Sequence, residues 1–184
     1  MTGTSSEAPR AAVVYESMFG CTEAIAHSVT VGLEEVGFTV TARDVRTDTP
    51  DDLPPFDLLV VGAPTHAFSL SRPATRRDAV DQGGRPDAES VGLREWLEVL
   101  AQTTTAGDRL FAAFDTRVGK VRFVPKAAAT RASRLLVHQG YHAVSRPTPF
   151  IVHDVYGPVA DGEQERARQW GRTVGQSAAA RMSQ

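Results

Sequence analysis

The chain has 184 residues, 41% hydrophobic and 23% charged, the composition of a soluble globular protein long enough to bury a sizeable core as one domain. Its 20 lysines and arginines against 22 aspartates and glutamates leave a formal net charge of −2, so bulk charge makes no case for nucleic acid or an anionic membrane surface. Cys21 is the single cysteine, which excludes an intrachain disulfide and a cysteine-based metal cage.

Residues 1–9 are small and polar and are expected to form a disordered tail, with residues 10–184 as a single domain. No apolar segment follows a basic start, so no secretory signal is expected. No apolar run approaches the ~20 residues that span a bilayer. The expected location is the cytoplasm, without a membrane partner.

In chain order, residues 11–15 form a short continuous apolar run, the pattern of a strand buried on both faces. Ile25, Val29, Leu33 and Val36 then recur at helical spacing, and Gly37 suits a left-handed helix end. Phe38, Val40 and Ala42 alternate with polar residues, which predicts an edge strand. Residues 47–55 are acidic and proline-rich, a loop with at most one helical turn. Residues 58–63 are the second continuous apolar run and the predicted central strand.

A long excursion over residues 64–92 is expected to hold a short helix starting near Pro73 and a turn at Gly83-Gly84-Arg85-Pro86-Asp87. Leu93, Trp96, Leu97 and Leu100 mark a further helix. Residues 110–114 read as a buried strand and residues 126–139 as a helix ended by Gly140. Residues 141–154 read as a last strand interrupted by Pro147 and Pro149, which cannot donate to a ladder. Asp161 is the expected cap of a final helix whose Ala167, Trp170 and Val174 face the core. This strand-helix alternation, five times over, predicts an α/β fold with a parallel sheet, right-handed crossovers and helices on both faces.

Ligands in such sheets sit at the carboxyl ends of the strands, where strand order reverses. Three predicted loops lie there, over residues 16–22, 64–68 and 115–120. In the first, Ser17 and Thr22 supply hydroxyls and Gly20 permits a tight turn. The free amides and dipole of the following helix make an anion cradle without lysine or arginine. A plain helix cap by Thr22 is the other reading of this loop.

Rival phosphate chemistries fail on spacing. A tyrosine phosphatase of low molecular weight would need arginine six residues after Cys21, where His27 stands. The Gly119-Lys120 pair lacks the other residues of a Walker loop. A receiver domain needs an acidic residue after the third strand, which here reads Gly62-Ala63-Pro64. A Gly-x-Ser-x-Gly elbow and a dinucleotide fingerprint after the first strand are both missing.

Ser17-Met18-Phe19-Gly20-Cys21-Thr22-Glu23 resembles the FMN phosphate loop of the flavodoxin family, Ser/Thr-x-Thr-Gly-x-Thr. Gly62-Ala63-Pro64-Thr65-His66 resembles that family's second flavin loop, often Gly-x-Pro-Thr-Tyr. The likeness extends over residues 11–180 and implies a doubly wound five-stranded parallel sheet of order 2-1-3-4-5. It also implies FMN as cofactor. Ser17, Met18, Phe19, Gly20, Cys21 and Thr22 would hold its phosphate. Pro64, Thr65, His66, Ala67 and Phe68 would lie against the isoalloxazine, and Asp115, Thr116, Arg117 and Val118 would approach the other side. The implied activity is electron transfer or flavin-dependent reduction of a small molecule. The implied partner is a redox protein or small electron acceptor, the chain being a monomer or homodimer. The alternative is a flavodoxin-like domain without flavin, acting as a binding or regulatory module.

The sequence departs from the family pattern at four points. Phe19 stands where the simplest members have threonine, removing a hydroxyl worth ~1 kcal/mol. Cys21 replaces a frequent asparagine, and its place at a helix start can lower its pKa; the plainer reading is a small residue that fits. The third loop has no tyrosine to stack on the ring, leaving Phe68 or His66 for that role. His66, Arg72, Arg76, Arg77, Arg117 and Lys120 surround the flavin side, and their charge would ease formation of the reduced anion. The other reading places these arginines on solvated surfaces. The Arg72–Arg77 stretch also suits an acidic partner or a lid.

The remaining polar residues carry weaker signals. His66 and Arg117 are the candidates to polarise flavin or substrate. His138 and His142 are separated by Gly140, which argues against a metal pair. His153 and Asp154, at a strand end, suit a proton couple, and packing or solvent exposure is the plainer reading. Glu95, Glu98, Arg166 and Arg168 read as solvated helix faces, and Trp96 and Trp170 as core.

Overall fold

The computed structural model describes residues 7–65, 69–103, 109–119 and 127–184. Six strands form one sheet: β1 (Arg10–Tyr15), β2 (Thr39–Asp44), β3 (Leu58–Pro64), β4 (Leu110–Val118), β5 (His142–Ala143) and β6 (Thr148–Val152). Its order is β2-β1-β3-β4-β5, with β6 also on β4, and every pairing among these strands is parallel. The helices are α1 (Cys21–Glu34), α2 (Pro73–Asp81), α3 (Leu93–Thr103), α4 (Ala128–His138) and α5 (Glu163–Met182). Among the described residues, no helix is long and apolar enough to cross a membrane.

The continuous apolar strands are covered on both sides. Because side chains alternate along a strand, Ala12, Val14, Leu59, Val61, Phe111 and Ala113 pack toward α3 and α4. Ala11, Val13, Leu58, Val60, Ala112 and Phe114 pack toward α1 and α5. Each fully buried Val or Leu contributes about 1.5–3 kcal/mol relative to exposure. Trp96 and Trp170 join opposite layers, Trp170 through edge contacts with Phe114 and Phe150.

Helices α1 and α5 approach unusually closely. A Cβ on Gly32 would stand 2.0 Å from Arg168 O, and one on Gly171 would stand 2.5 Å from Val29 O. Both positions therefore require glycine for backbone contact rather than for a turn.

Four sequence expectations are corrected here. The last strand is two segments, and β4 is longer than expected. Its first residues pair with β5, and Phe114–Val118 pair with β6. Asp115, Thr116, Arg117 and Val118 are thus strand residues rather than a loop, because β6 extends the ladder. Asp161 does not cap α5; Gly162 does so through a left-handed backbone (φ 78°), with no side-chain cap. The expected glycine turn after α2 continues into a short 3₁₀ segment, Pro86–Glu89. Residues 1–6 of the expected tail and Lys126 of the fourth helix lie outside the described residues, while Pro9 accepts the Thr39 amide.

Candidate functional site

The carboxyl ends of β1, β3 and β4 converge where the chain order of the sheet reverses. After β1, the Glu16 amide donates to Gly62 O at 2.9 Å, keeping the chain on β3 for one more residue. Gly20 (φ 91°) then turns it into α1. Ser17 Oγ accepts the amides of Gly20 (3.1 Å) and Glu23 (3.3 Å), so Ser17, rather than Thr22, supports the helix start. Among the described residues, the amides of Met18, Phe19, Cys21 and Thr22 have no acceptor. Four unpaired N–H groups at the positive end of a helix form an anion cradle.

Thr22 Oγ1 lies 2.8 Å from Thr116 Oγ1, joining the first turn of α1 to β4. Two hydroxyls sharing one hydrogen bond leave one O–H free to donate elsewhere. Ser17 Oγ, already accepting twice, also keeps its own O–H. The loop thus offers hydroxyl donors as well as amides.

A cavity of about 180 Å³ lies against this loop. Of the residues expected from sequence, Ser17, Met18, Phe19, Cys21, Thr22, Pro64, Thr65, Thr116, Arg117 and Val118 line it. Gly20 shapes the loop without lining the cavity, and Asp115 is fully buried behind it. His66, Ala67, Phe68 and Lys120 lie outside the described residues.

Asp115 accepts Arg117 Nε and Nη2, each at 2.7 Å, and the Ala129 amide at 3.2 Å. Thr65 Oγ1 accepts the neighbouring Ala128 amide at 3.1 Å. These two side chains cap α4, so the second and third expected segments are joined through one helix start. Thr116 faces α1 while Asp115 and Arg117 face the α4 side, as strand alternation requires.

Sequence reasoning missed Val152 and Val155, which complete the cavity wall. They belong to a hairpin after β6, closed by the antiparallel Val152–Val159 bridge and the His153 amide on Pro158 O (3.0 Å). Tyr156 sets its ring edge-on to Phe19, centroids 5.1 Å apart, and its hydroxyl donates to Gln82 Oε1 at 3.2 Å. A Cβ at Gly157 would stand 2.7 Å from Cys21 Sγ. The available signal was the parallel sheet itself: whatever follows β6 emerges at the same edge as the first loop.

Of the charges expected around the site, Arg117 lines the cavity and Arg76 does not. Arg76 is buried and donates to Ser71 Oγ (3.1 Å) and to Glu95 Oε2 and Oε1 (3.2 and 3.3 Å). Neither Arg76 nor Glu95 is a free surface group, because α2 and α3 trap the pair between them. Arg77 is held by Glu89. Burial pushes the Cys21 thiol pKa up, the opposite direction to the lowering that a helix start can bring.

Glu16 is buried beneath the loop, its Oε2 accepting the Leu93 amide at 2.8 Å. Burial pushes its carboxyl pKa up, against the pull of Ser71, Leu93 and Arg76. Burial likewise pushes the Tyr15 hydroxyl up to about 12, helped by the charges of Glu23 and Asp44. Among the described residues, no cluster of three or more histidine, cysteine or acidic side chains suits a metal ion.

No protein-family model matches the chain. It is 32% identical over 103 residues to the S-adenosyl-L-methionine-dependent tRNA 4-demethylwyosine synthase of Oryza sativa subsp. japonica. That match takes in 56% of this chain but only 14% of the curated relative's length.

Solved structures give a broader likeness. An archaeal flavodoxin matches with a TM-score of 0.64 and 16% identity, over 92% of this chain and 99% of that one. The Streptococcus pneumonia TIGR4 flavodoxin matches at 0.62 and 21% identity, over 94% and 99%. Flavodoxin 2 from Bacillus cereus matches at 0.65 and 18% identity, over 91% and 98%. With the 2-1-3-4-5 order of the main sheet and helices on both of its faces, these likenesses show that the chain has the flavodoxin-like fold.

Proposed function

We propose that the cavity binds FMN, with its phosphate in the loop of Ser17 to Thr22, and that the chain is a flavin-dependent redox protein. The observation that carries this reading is the set of four amides, from Met18, Phe19, Cys21 and Thr22, that have no acceptor among the described residues and border a cavity at the sheet's switch point. Together with the hydroxyls of Ser17 and the Thr22–Thr116 pair, they fit a phosphate without a cationic side chain. The two loop motifs of the flavodoxin family support the same assignment.

When bound, FMN supplies one- or two-electron chemistry at its ring. The chain's own residues bind and orient. Ser17 ties the loop to the start of α1 through the Gly20 and Glu23 amides, and the Thr22–Thr116 bond joins α1 to β4. Met18, Phe19, Val152 and Val155 give the cavity apolar walls for the flavin ring. The electron partner is a redox protein or a small acceptor molecule.

Titration with FMN, followed by visible absorbance and flavin fluorescence, tests the proposal. Saturable binding at micromolar FMN is expected. Riboflavin, which lacks the phosphate, should bind at least ~10-fold more weakly. Absence of FMN binding would overturn the proposal and favour the flavin-free binding module.

A further inference from the structure

Arg117 is the one charged residue lining the cavity among the described residues. Its partner Asp115 is fully buried and grips Nε and Nη2 together. Arg117 Nη1 makes no hydrogen bond among the described residues. One edge of the guanidinium is therefore fixed, and the other presents parallel N–H donors to an acceptor pair. The phosphate cradle has no need of this charge. Strand alternation also sends Thr116 to the α1 side, where the cradle lies, and Arg117 to the α4 side.

We infer that the outer edge of Arg117 faces the pyrimidine edge of bound FMN, and that Arg117, held by Asp115, makes the site prefer the reduced flavin. This rests on the FMN reading above. The pyrimidine edge offers adjacent nitrogen and carbonyl acceptors, matching a guanidinium edge. Uptake of two electrons and one proton leaves negative charge on that edge, so a fixed donor pair binds the reduced form more tightly. Asp115 opposes this preference by its own charge while holding the arginine in place.

The pair therefore has opposed effects, which a purely structural pair would not have. The test measures Kd for oxidised FMN by fluorescence, and the midpoint potential of bound and free FMN during dithionite reduction, in wild type, Arg117→Gln and Asp115→Asn. Arg117→Gln should weaken reduced FMN relative to oxidised FMN at least tenfold, a shift of about 30 mV in a two-electron couple. Asp115→Asn, which leaves Arg117 uncompensated, should shift the ratio the opposite way. Should Arg117→Gln fail to fold, the double variant Asp115→Asn/Arg117→Gln, which leaves no unpaired buried charge, should shift the ratio in the direction expected for loss of the arginine, by a smaller amount. Shifts of the same sign in the single variants, or a change under tenfold on loss of the arginine, would overturn the inference. Failure of the wild type to bind FMN would instead overturn the function on which it rests.

Discussion

Thr22 and Thr116, 94 positions apart in sequence, share a hydroxyl–hydroxyl hydrogen bond of 2.8 Å that ties the start of α1 to the far half of β4. Both hydroxyls are buried. Thr116→Val alone should cost about 1–3 kcal/mol, because it leaves the Thr22 hydroxyl without a partner. Thr22→Val/Thr116→Val removes both and should cost less than the single change. The double variant should still bind FMN more weakly, since its free O–H is gone. Urea unfolding read beside an FMN titration separates the two effects; a double variant less stable than the single would show that the bond is not the source.

Ser17 has a different part in the same loop. Its hydroxyl oxygen takes two amides that the helix cannot satisfy itself. Ser17→Ala should therefore lower stability by about 1 kcal/mol, the usual loss of a helix-start acceptor. Combined with Thr22→Ala, it should weaken FMN binding substantially, and an unchanged FMN Kd would refute the assigned phosphate contacts.

Glu16 should give a pH-dependent stability term. Its folded pKa is raised by burial above the ordinary 4.5. The unfolded chain thus releases this proton at lower pH than the folded chain does. The associated stability is complete below about 4.5 and is lost as pH rises through the folded value. Glu16→Gln keeps an acceptor for Leu93 and removes the titration. The stability of this variant relative to wild type should increase with pH from 4 upward, on the order of 1.4 kcal/mol per unit within the window. A difference in urea midpoint that stays flat between about pH 4 and 8 would contradict this.

The contact of α1 with α5 should tolerate no added carbon. Alanine at position 32 or 171 gains about 1 kcal/mol in helix propensity over glycine. The built Cβ would nevertheless meet a carbonyl oxygen at 2.0 or 2.5 Å. Separating the helices should cost more than the propensity returns, with net loss of about 1–3 kcal/mol. A thermal melt is the check, with Gly32→Ala and Gly171→Ala both expected to lower Tm. A raised Tm would mean the helices slide apart freely.

The sequence by itself determined the layered fold and the strand ends at which its three candidate loops lie. Two-sided burial of β1 and β3 shows as unbroken apolar runs, the helices show as 3.6-residue patterns, and Gly20 and Gly37 mark turns by their freedom at positive φ (91° and 93°). These are local signals, carried by neighbouring residues. Only the tertiary structure decided who meets whom across long stretches of chain. It extended β4 through Val118 because β6 was there to pair with it, and it buried Arg76 between α2 and α3 with Glu95 as partner. It also brought the Val152–Val159 hairpin over Phe19 and Cys21. Such partners are chosen by packing and by the need to pair every buried polar group, and neither is written in the spacing of nearby residues.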